Sequence, residues 1–97
     1  MSFKVRIEPR AVHEIEVAFA WYETRNLGLG STFLKTVAAA TERLERSADQ
    51  FKIERLKYHR IHLTKFPYAL HYTIENSQVL ILACLHARQN PALWPGT

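Results

Sequence analysis

The sequence Asn26-Leu27-Gly28-Leu29-Gly30-Ser31 separates two segments that each carry a helical pattern of apolar residues. Its two glycines can adopt positive φ, which lets one helix end and the chain reverse direction, and Ser31 is suited to cap the next helix. Before this turn, apolar residues recur at helical spacing over residues 9–26. After it, a second apolar stripe runs from Phe33 to Leu44 and fades near Ser47. The N-terminal half therefore predicts a helical hairpin.

Extended segments flank this hairpin on both sides. Phe3, Val5 and Ile7 alternate with charged residues, which is the period-two pattern of a strand that buries one face. Three further strands, rich in β-branched and aromatic residues, are predicted at residues 53–65, 68–75 and 78–87. Their short connections require antiparallel neighbours. The predicted fold class is α+β, with the order βααβββ and a small antiparallel or mixed sheet that has both helices packed on one face.

Length and composition predict a single domain over residues 1–97. Of these 97 residues, 47% are hydrophobic and 23% are charged, which is typical of a folded protein rather than a disordered one. The longest apolar run, residues 79–85, is far shorter than the roughly 20 residues that cross a bilayer. The N-terminus lacks the apolar stretch of a secretion signal, and the single Cys84 cannot form an internal disulfide. We therefore expect a cytoplasmic protein with no membrane association.

Positive charge is concentrated in the second half of the chain. Residues 1–51 hold seven Lys/Arg and seven Asp/Glu, whereas residues 52–97 hold six and two, so the formal net charge of +4 arises entirely there. Four of the five histidines lie in the same half. A localised basic region predicts an acidic partner or a polyanion, although a charged surface that only keeps the protein soluble is the alternative.

The sheet face that the helices leave open is predicted to be cationic. Because side chains alternate along a strand, Ile61 and Leu63 should face the helices while their neighbours face the opposite side. In the last strand, both alternating sets of positions are apolar, so the pattern does not show which of its side chains face the helices. The residues expected to bind a partner or a nucleic acid on the open side are Lys4, Arg6, Arg60, His62, His71 and Arg88. A homodimer or a hydrated sheet face is the alternative.

The sequence favours neither a metal nor a cofactor. His59 and His62 would point to opposite faces of a strand and cannot share one metal ion. Cys84 lies in an apolar run and is interpreted as a core residue rather than a nucleophile. An arginine can hold phosphate through two hydrogen bonds, and a histidine can move a proton near neutral pH. A metal-independent ribonuclease would use such groups, and the catalytic candidates are Arg60, His86 and Arg88.

Three remaining segments are interpreted as packing elements. Pro67 should end a strand while Phe66 and Tyr68 close the following hairpin, and Trp21-Tyr22 should pack a helix on the sheet. Residues 89–97 contain two prolines and cannot form a long helix. We expect them to lie over the sheet edge or to stay mobile, with Trp94 as their anchor.

Several motifs occur in a fixed order along almost the whole chain. They are Glu8-Pro9, Ala20-Trp21-Tyr22-Glu23, Leu27-Gly28-Leu29-Gly30-Ser31-Thr32-Phe33, Arg60, Lys65-Phe66-Pro67-Tyr68-Ala69-Leu70-His71-Tyr72, Leu85-His86-Ala87-Arg88-Gln89-Asn90-Pro91 and Trp94. Together they resemble the RelE/ParE superfamily of toxins from bacterial type II toxin–antitoxin (plasmid stabilisation) modules. The Trp-Tyr-Glu and Gly-Leu-Gly elements favour its ParE-like branch. The βααβββ order agrees with the fold of that superfamily.

This resemblance implies a small basic toxin that inhibits growth and is neutralised by a cognate antitoxin. ParE-like relatives inhibit DNA gyrase, whereas RelE-like relatives cut mRNA in the ribosomal A site. Gyrase is the preferred target because RelE-like sites carry a denser set of cations and a C-terminal tyrosine, and residues 89–97 contain no tyrosine. A ribosome-dependent endoribonuclease and a non-toxic binding module are the alternatives. The antitoxin is expected to contribute an acidic, partly disordered segment that folds onto the basic surface.

Overall fold

The computed structural model describes residues 2–96, in which two helices pack on a five-stranded sheet. The elements are β1 (Lys4–Ile7), α1 (Pro9–Arg25), α2 (Leu29–Ser47), β2 (Ile53–Arg55), β3 (Tyr58–His62), β4 (Tyr68–Glu75) and β5 (Gln78–His86). Short 3-10 turns lie at Ala48–Gln50 and Pro91–Leu93. The predicted α+β class, with a helical hairpin after the first strand, is confirmed. Within residues 2–96, no helix has the length and hydropathy needed to span a bilayer.

The strand predicted at residues 53–65 is two strands, so the observed order is βααββββ. β2 and β3 pair antiparallel and are joined by a turn in which Leu56 has a φ of 51°. Positive φ is uncommon for a residue with a branched side chain. Residues 53–59 contain none of the Gly, Pro, Asn, Asp or Ser residues that commonly mark a turn, so this break in the strand could not be located from the sequence.

The sheet is mixed, with the strand order β1-β5-β4-β3-β2. The helical hairpin returns the chain so that β1 pairs parallel with β5, and Ile7 lies opposite Ile81. The other neighbours are antiparallel. Because β1 ends at this point, residues 82–86 of β5 extend beyond their parallel neighbour, and this free edge lies beside α1.

A β-bulge determines which side chains of β5 face the helices. The β4–β5 ladder pairs β4 first with Ile81 and then with Ala83, so Leu82 is the extra residue. A bulge shifts the alternation of side chains by one, and both Ile81 and Cys84 consequently belong to the core beneath the helices. The bulge resolves the orientation of the last strand, which its apolar sequence had left open.

The core lies between the helical hairpin and one face of the sheet. Its helical contributions include Ala11, Ile15 and Ala18 from α1 and Phe33, Val37, Ala40 and Leu44 from α2. Tyr72 of β4 is fully buried at the centre, where its hydroxyl donates a 2.7 Å hydrogen bond to the carbonyl oxygen of Ala48. This bond joins the end of the α2 segment to the middle of the sheet.

The turn between the helices is closed by a side chain from α1. Gly28 adopts a φ of 91°, and the Glu23 carboxylate accepts hydrogen bonds from the backbone N–H groups of Gly28 and Gly30 at 3.0 and 2.9 Å. Helix α2 begins at Leu29, so the expectation that Ser31 caps it is wrong. Glu23 satisfies free N–H groups at this helix start instead, because the hairpin folds α1 back beside them.

Candidate functional site

The sheet face opposite the helices carries cations from β1 and β3. Ile61 belongs to the core, so its neighbours Arg60 and His62 lie on the opposite side of β3. On β1, Lys4 and Arg6 are exposed. We call the surface formed by Lys4, Arg6, Arg60 and His62 the open face. Alternation along these two strands was sufficient to predict which residues it contains.

Ion pairs within the chain neutralise part of this positive charge. Arg6 Nε lies 3.6 Å from a carboxylate oxygen of Glu8, and Arg60 Nη2 lies 3.4 Å from one of Glu54. The first pair is largely exposed and is expected to contribute little to stability. The open face is therefore a weaker attractor for polyanions than the count of its arginines implies.

The C-terminal segment, which we define as residues 90–96, lies across the open face. The ring centroid of Trp94 is 5.3 Å from that of His71 and 4.5 Å from the guanidinium carbon of Arg60. Arg10 Nη2 donates a 2.6 Å hydrogen bond to the carbonyl oxygen of Leu93. The segment thus packs on the face of the sheet, and Trp94 anchors it there.

His71 requires a correction to the predicted set of exposed cations. It lies on β4 beneath Trp94 and is only 3% exposed. Burial, followed by the positive charges of Arg60, Arg10 and His62, lowers its pKa from 6.5 to about 4, while Glu54 acts in the opposite direction. His71 is therefore neutral at physiological pH and adds no surface charge. The sequence could not reveal this because the covering tryptophan comes from a distant part of the chain.

Arg60 is held by contacts on two sides. Its guanidinium lies over Trp94 and beside Glu54, and its side chain is 21% exposed. The Nε atom is buried and has no hydrogen-bond partner among the described residues. Arg60 consequently retains one unused N–H donor, although most of its surface is already covered.

His86 and Arg88 lie where β5 ends. The Nδ1 atom of His86 accepts a 3.0 Å hydrogen bond from the backbone N–H of Arg88, and the backbone N–H of His86 donates to Gln89 Oε1 at 2.6 Å. His86 also contacts the ring of Tyr68 edge to face, with centroids 5.1 Å apart. With Nδ1 occupied as an acceptor, a neutral imidazole carries its proton on Nε2.

The three catalytic candidates are only partly brought together. Arg60 and His86 line one cavity of about 210 Å³, together with His62, His71 and Trp94, whereas Arg88 is exposed and does not line it. His86 also borders a cleft beside α1. The geometry therefore offers a cation and an imidazole at one end of the sheet, with the second arginine outside the cavity.

Glu14 is a polar residue of this region that the sequence analysis did not single out. Its Oε1 accepts a 2.8 Å hydrogen bond from the backbone N–H of Cys84, on the free edge of β5, while Oε2 accepts one from Arg10 Nε at 3.1 Å. The spacing of Arg10 and Glu14 indicates a helical ion pair. No local signal relates Glu14 to Cys84, which is 70 residues away.

An apolar cleft beside α1 was also missed. Its walls include Val17, Trp21, Pro67 and Tyr68, and its volume is about 380 Å³. Tyr22 packs on the aromatic core as predicted, but its neighbour Trp21 is 50% exposed and has the guanidinium of Arg25 over its ring. Trp21 is thus a surface residue rather than a packing residue.

Groups suited to metal or thiol chemistry are not assembled here. In the described part of the chain, no cluster of three or more His, Cys, Asp or Glu side chains could hold a metal ion. Cys84 is buried, and burial together with the charge of Glu14 raises the pKa of its thiol to about 12. The thiol therefore stays protonated and is a poor nucleophile at neutral pH.

Comparison with known proteins identifies a family. The family model described as "ParE toxin of type II toxin-antitoxin system, parDE" matches residues 5–91. Among solved structures, the chain is similar to one described as "Chromosomal ParDE TA system from P. aeruginosa", with a TM-score of 0.78 and 11% identity over 88% of this chain and 96% of that one. No curated protein matches at the sequence level. At this identity the structural likeness shows the fold alone, whereas the family match spans most of the sequence. The chain therefore belongs to the ParE toxin family of type II toxin–antitoxin systems.

Proposed function

We propose that this toxin acts in the cytoplasm, arrests growth by inhibiting DNA gyrase and is neutralised by a cognate antitoxin. Family membership supports the toxin role. The choice of gyrase follows from the resemblance of the Trp21-Tyr22-Glu23 and Gly28-Leu29-Gly30 elements to the ParE-like branch. The contrasting hypothesis is a ribonuclease.

The contacts that Arg60 makes are the observation on which the choice of gyrase inhibition over RNA cleavage depends. A ribonuclease would need this cation available to bind a phosphate and to stabilise the charge that develops on it. Here the guanidinium is stacked on Trp94 and lies 3.4 Å from the Glu54 carboxylate. The Glu54 carboxylate offsets part of the charge of Arg60, and this loss weighs more against the multiply charged phosphorane of RNA cleavage than against a single carboxylate. The arrangement therefore favours a toxin that acts by binding a protein.

Supercoiling by purified gyrase tests the proposed target. The wild-type toxin should block supercoiling, and its induction in cells should arrest replication before translation. The paired substitutions Lys4→Ala and Arg6→Ala should weaken inhibition if the open face contacts gyrase. The matched control removes two exposed cations of α2, Lys35→Ala and Arg46→Ala, and should inhibit normally. Normal supercoiling at saturating wild-type toxin would exclude gyrase as the target.

Charge distribution supports an acidic antitoxin segment. Residues 52–97 hold six Lys/Arg and two Asp/Glu, so an acidic chain would be attracted to this half of the molecule. Co-expression with the adjacent reading frame should give a complex that co-purifies. Its melting temperature should exceed that of the free toxin, since a ligand at 1,000 times its Kd stabilises the folded state by about 4 kcal/mol. Failure to co-purify would contradict this assignment.

Ribosome-dependent cleavage of mRNA is the second candidate, because Arg60 and His86 line the same cavity. In that reaction His86 would act as the acid or base, and Arg60 and Arg88 would bind phosphate. Arg88→Ala should then lower the cleavage rate at least about a hundredfold. Translating ribosomes that show no codon-positioned cuts would exclude it. Growth unaffected by the wild-type protein would instead favour a non-toxic binding module.

A further inference from the structure

The C-terminal segment, residues 90–96, contacts the sheet at several places. Trp94 lies against Arg60 and His71, and Arg10 holds the carbonyl oxygen of Leu93. At the end of the segment, Gly96 has a φ of 85° and sits so close to the ring of Tyr58 that an added Cβ would lie 2.5 Å from a ring carbon. The segment therefore crosses β4 and β3 and fits closely against their side chains.

The segment is folded locally and is largely exposed. The Asn90 side chain accepts a hydrogen bond from the Ala92 N–H, and the N–H groups of Leu93 and Trp94 bond to the carbonyl oxygens of Asn90 and Pro91. Residues 90–93 are all exposed. A short turn that makes local hydrogen bonds and pairs with no strand can move as a unit without breaking the sheet, and exposed segments of this kind open most readily.

Two arginines, an imidazole and an incompletely bonded donor lie under this segment. Arg60 and His62 line the cavity of about 210 Å³ together with Trp94, and Arg10 lies close enough to contribute to the electrostatics of His71. Arg60 Nε is buried and has no partner in the described structure. Because leaving such a donor unbonded is costly, an anion that entered here would gain a strong, charge-assisted hydrogen bond.

An acidic polypeptide fits this surface better than a nucleic acid. Surfaces that bind nucleic acids neutralise many phosphates with unpaired cations, whereas Arg6, Arg10 and Arg60 are each already paired with a glutamate. A few carboxylates, one of them placed at Arg60, match the small number of available donors.

We propose that residues 90–96 form a latch that masks a carboxylate-binding surface centred on Arg60, and that an acidic polypeptide binds this surface when the latch opens. The choice of partner rests on the proposed neutralisation by an acidic antitoxin, but the latch itself does not. Opening exposes the Arg60 guanidinium and removes the cover from His71. Closure reduces the apparent affinity for the acidic partner to its intrinsic value multiplied by the fraction of molecules in which the latch is open.

Two variants open the latch in different ways. Trp94→Ala removes the anchor, while Gly96→Ala forces the segment away from Tyr58 and keeps the tryptophan. Leu93→Ala is the matched control, because it truncates a half-exposed side chain of the same segment and keeps the carbonyl that Arg10 binds. Binding of hexaglutamate is measured by calorimetry on the full chain, and the titration of His71 is followed by NMR.

Both opening variants should bind hexaglutamate more tightly than wild type, by about tenfold if the latch is open one-tenth of the time. The pKa of His71 should rise from about 4 towards its ordinary value of 6.5. Leu93→Ala should match wild type, and Arg60→Gln should abolish the gain in a Trp94→Ala background. Each of three results would overturn the proposal: an unchanged His71 pKa in both variants, weaker hexaglutamate binding in Trp94→Ala, or binding of a hexauridylate RNA instead of hexaglutamate. None depends on toxicity or co-purification, so failure of the latch and failure of the proposed function are distinguishable.

Discussion

Glu14→Ala tests the contact that joins α1 to the free edge of β5. The substitution removes the acceptor of the 2.8 Å hydrogen bond from the Cys84 N–H and the partner of Arg10. A partly buried donor left unbonded costs about 1–3 kcal/mol, and loss of the exposed helical ion pair adds about 0.3–0.5 kcal/mol. The higher helix propensity of alanine offsets a few tenths of a kcal/mol. The free energy of unfolding should therefore fall by about 2 kcal/mol.

Urea unfolding measures this change, and amide hydrogen exchange locates it. A loss of this size corresponds to a decrease in melting temperature of about 10 °C for a domain of this length. Glu14→Gln keeps an oxygen acceptor and should lose less than half as much, while Glu16→Ala, on an exposed position of the same helix, should have little effect. The exchange rate of the Cys84 amide should rise selectively in Glu14→Ala. The reasoning fails if Glu14→Ala is no more destabilising than Glu16→Ala.

Three further predictions concern the core and its pH dependence. Gly30→Ala places a Cβ 2.8 Å from the backbone carbonyl oxygen of Phe19, so the free energy of unfolding should drop by about 1–3 kcal/mol; unchanged or higher stability would show that the helices can separate. Tyr72→Phe removes a buried 2.7 Å hydrogen bond to Ala48 and should cost about 1–2 kcal/mol in urea unfolding, with a neutral effect arguing against that bond. The pKa of His71 is about 4 in the folded chain against 6.5, so the unfolded chain binds more protons between these values. Stability should be fully present above pH 6.5 and fall by up to about 3 kcal/mol as the pH is lowered to 4; His71→Gln should remove this slope, and equal slopes in both proteins would contradict it.

Much of the candidate site was predictable because alternation along a strand is a local property. Once Ile61 is assigned to the core, Arg60 and His62 must face the other way, and the structure places them there. His71 also lies on the predicted side of the sheet, but it is buried rather than exposed because Trp94 covers it. Alternation along a strand shows which side of the sheet a side chain occupies, whereas its exposure depends on what else packs on that side.

Irregular backbone was the second reason why the strands could not be fully predicted from the sequence. The turn at Leu56 divides a segment that was predicted as one strand. The bulge at Leu82 reverses which side chains at the end of β5 face the helices. Neither place contains the Gly, Pro, Asn, Asp or Ser residues that commonly mark a break, and hydrogen bonding to neighbouring strands determines where the regular pattern ends. Sequence patterns that assume a constant period cannot locate such breaks.

The amino-acid sequence by itself determined the helical hairpin, the α+β class and the side of β3 on which Arg60 lies, because these depend on residues a few positions apart. Only the tertiary structure decided that Glu23 closes the helical turn, that Glu14 holds the edge of β5, and that Trp94 covers Arg60 and His71. The last two arrangements bring together groups far apart in the sequence. Such contacts depend on how the helices and the C-terminal segment pack on the sheet, and no local periodicity encodes that packing.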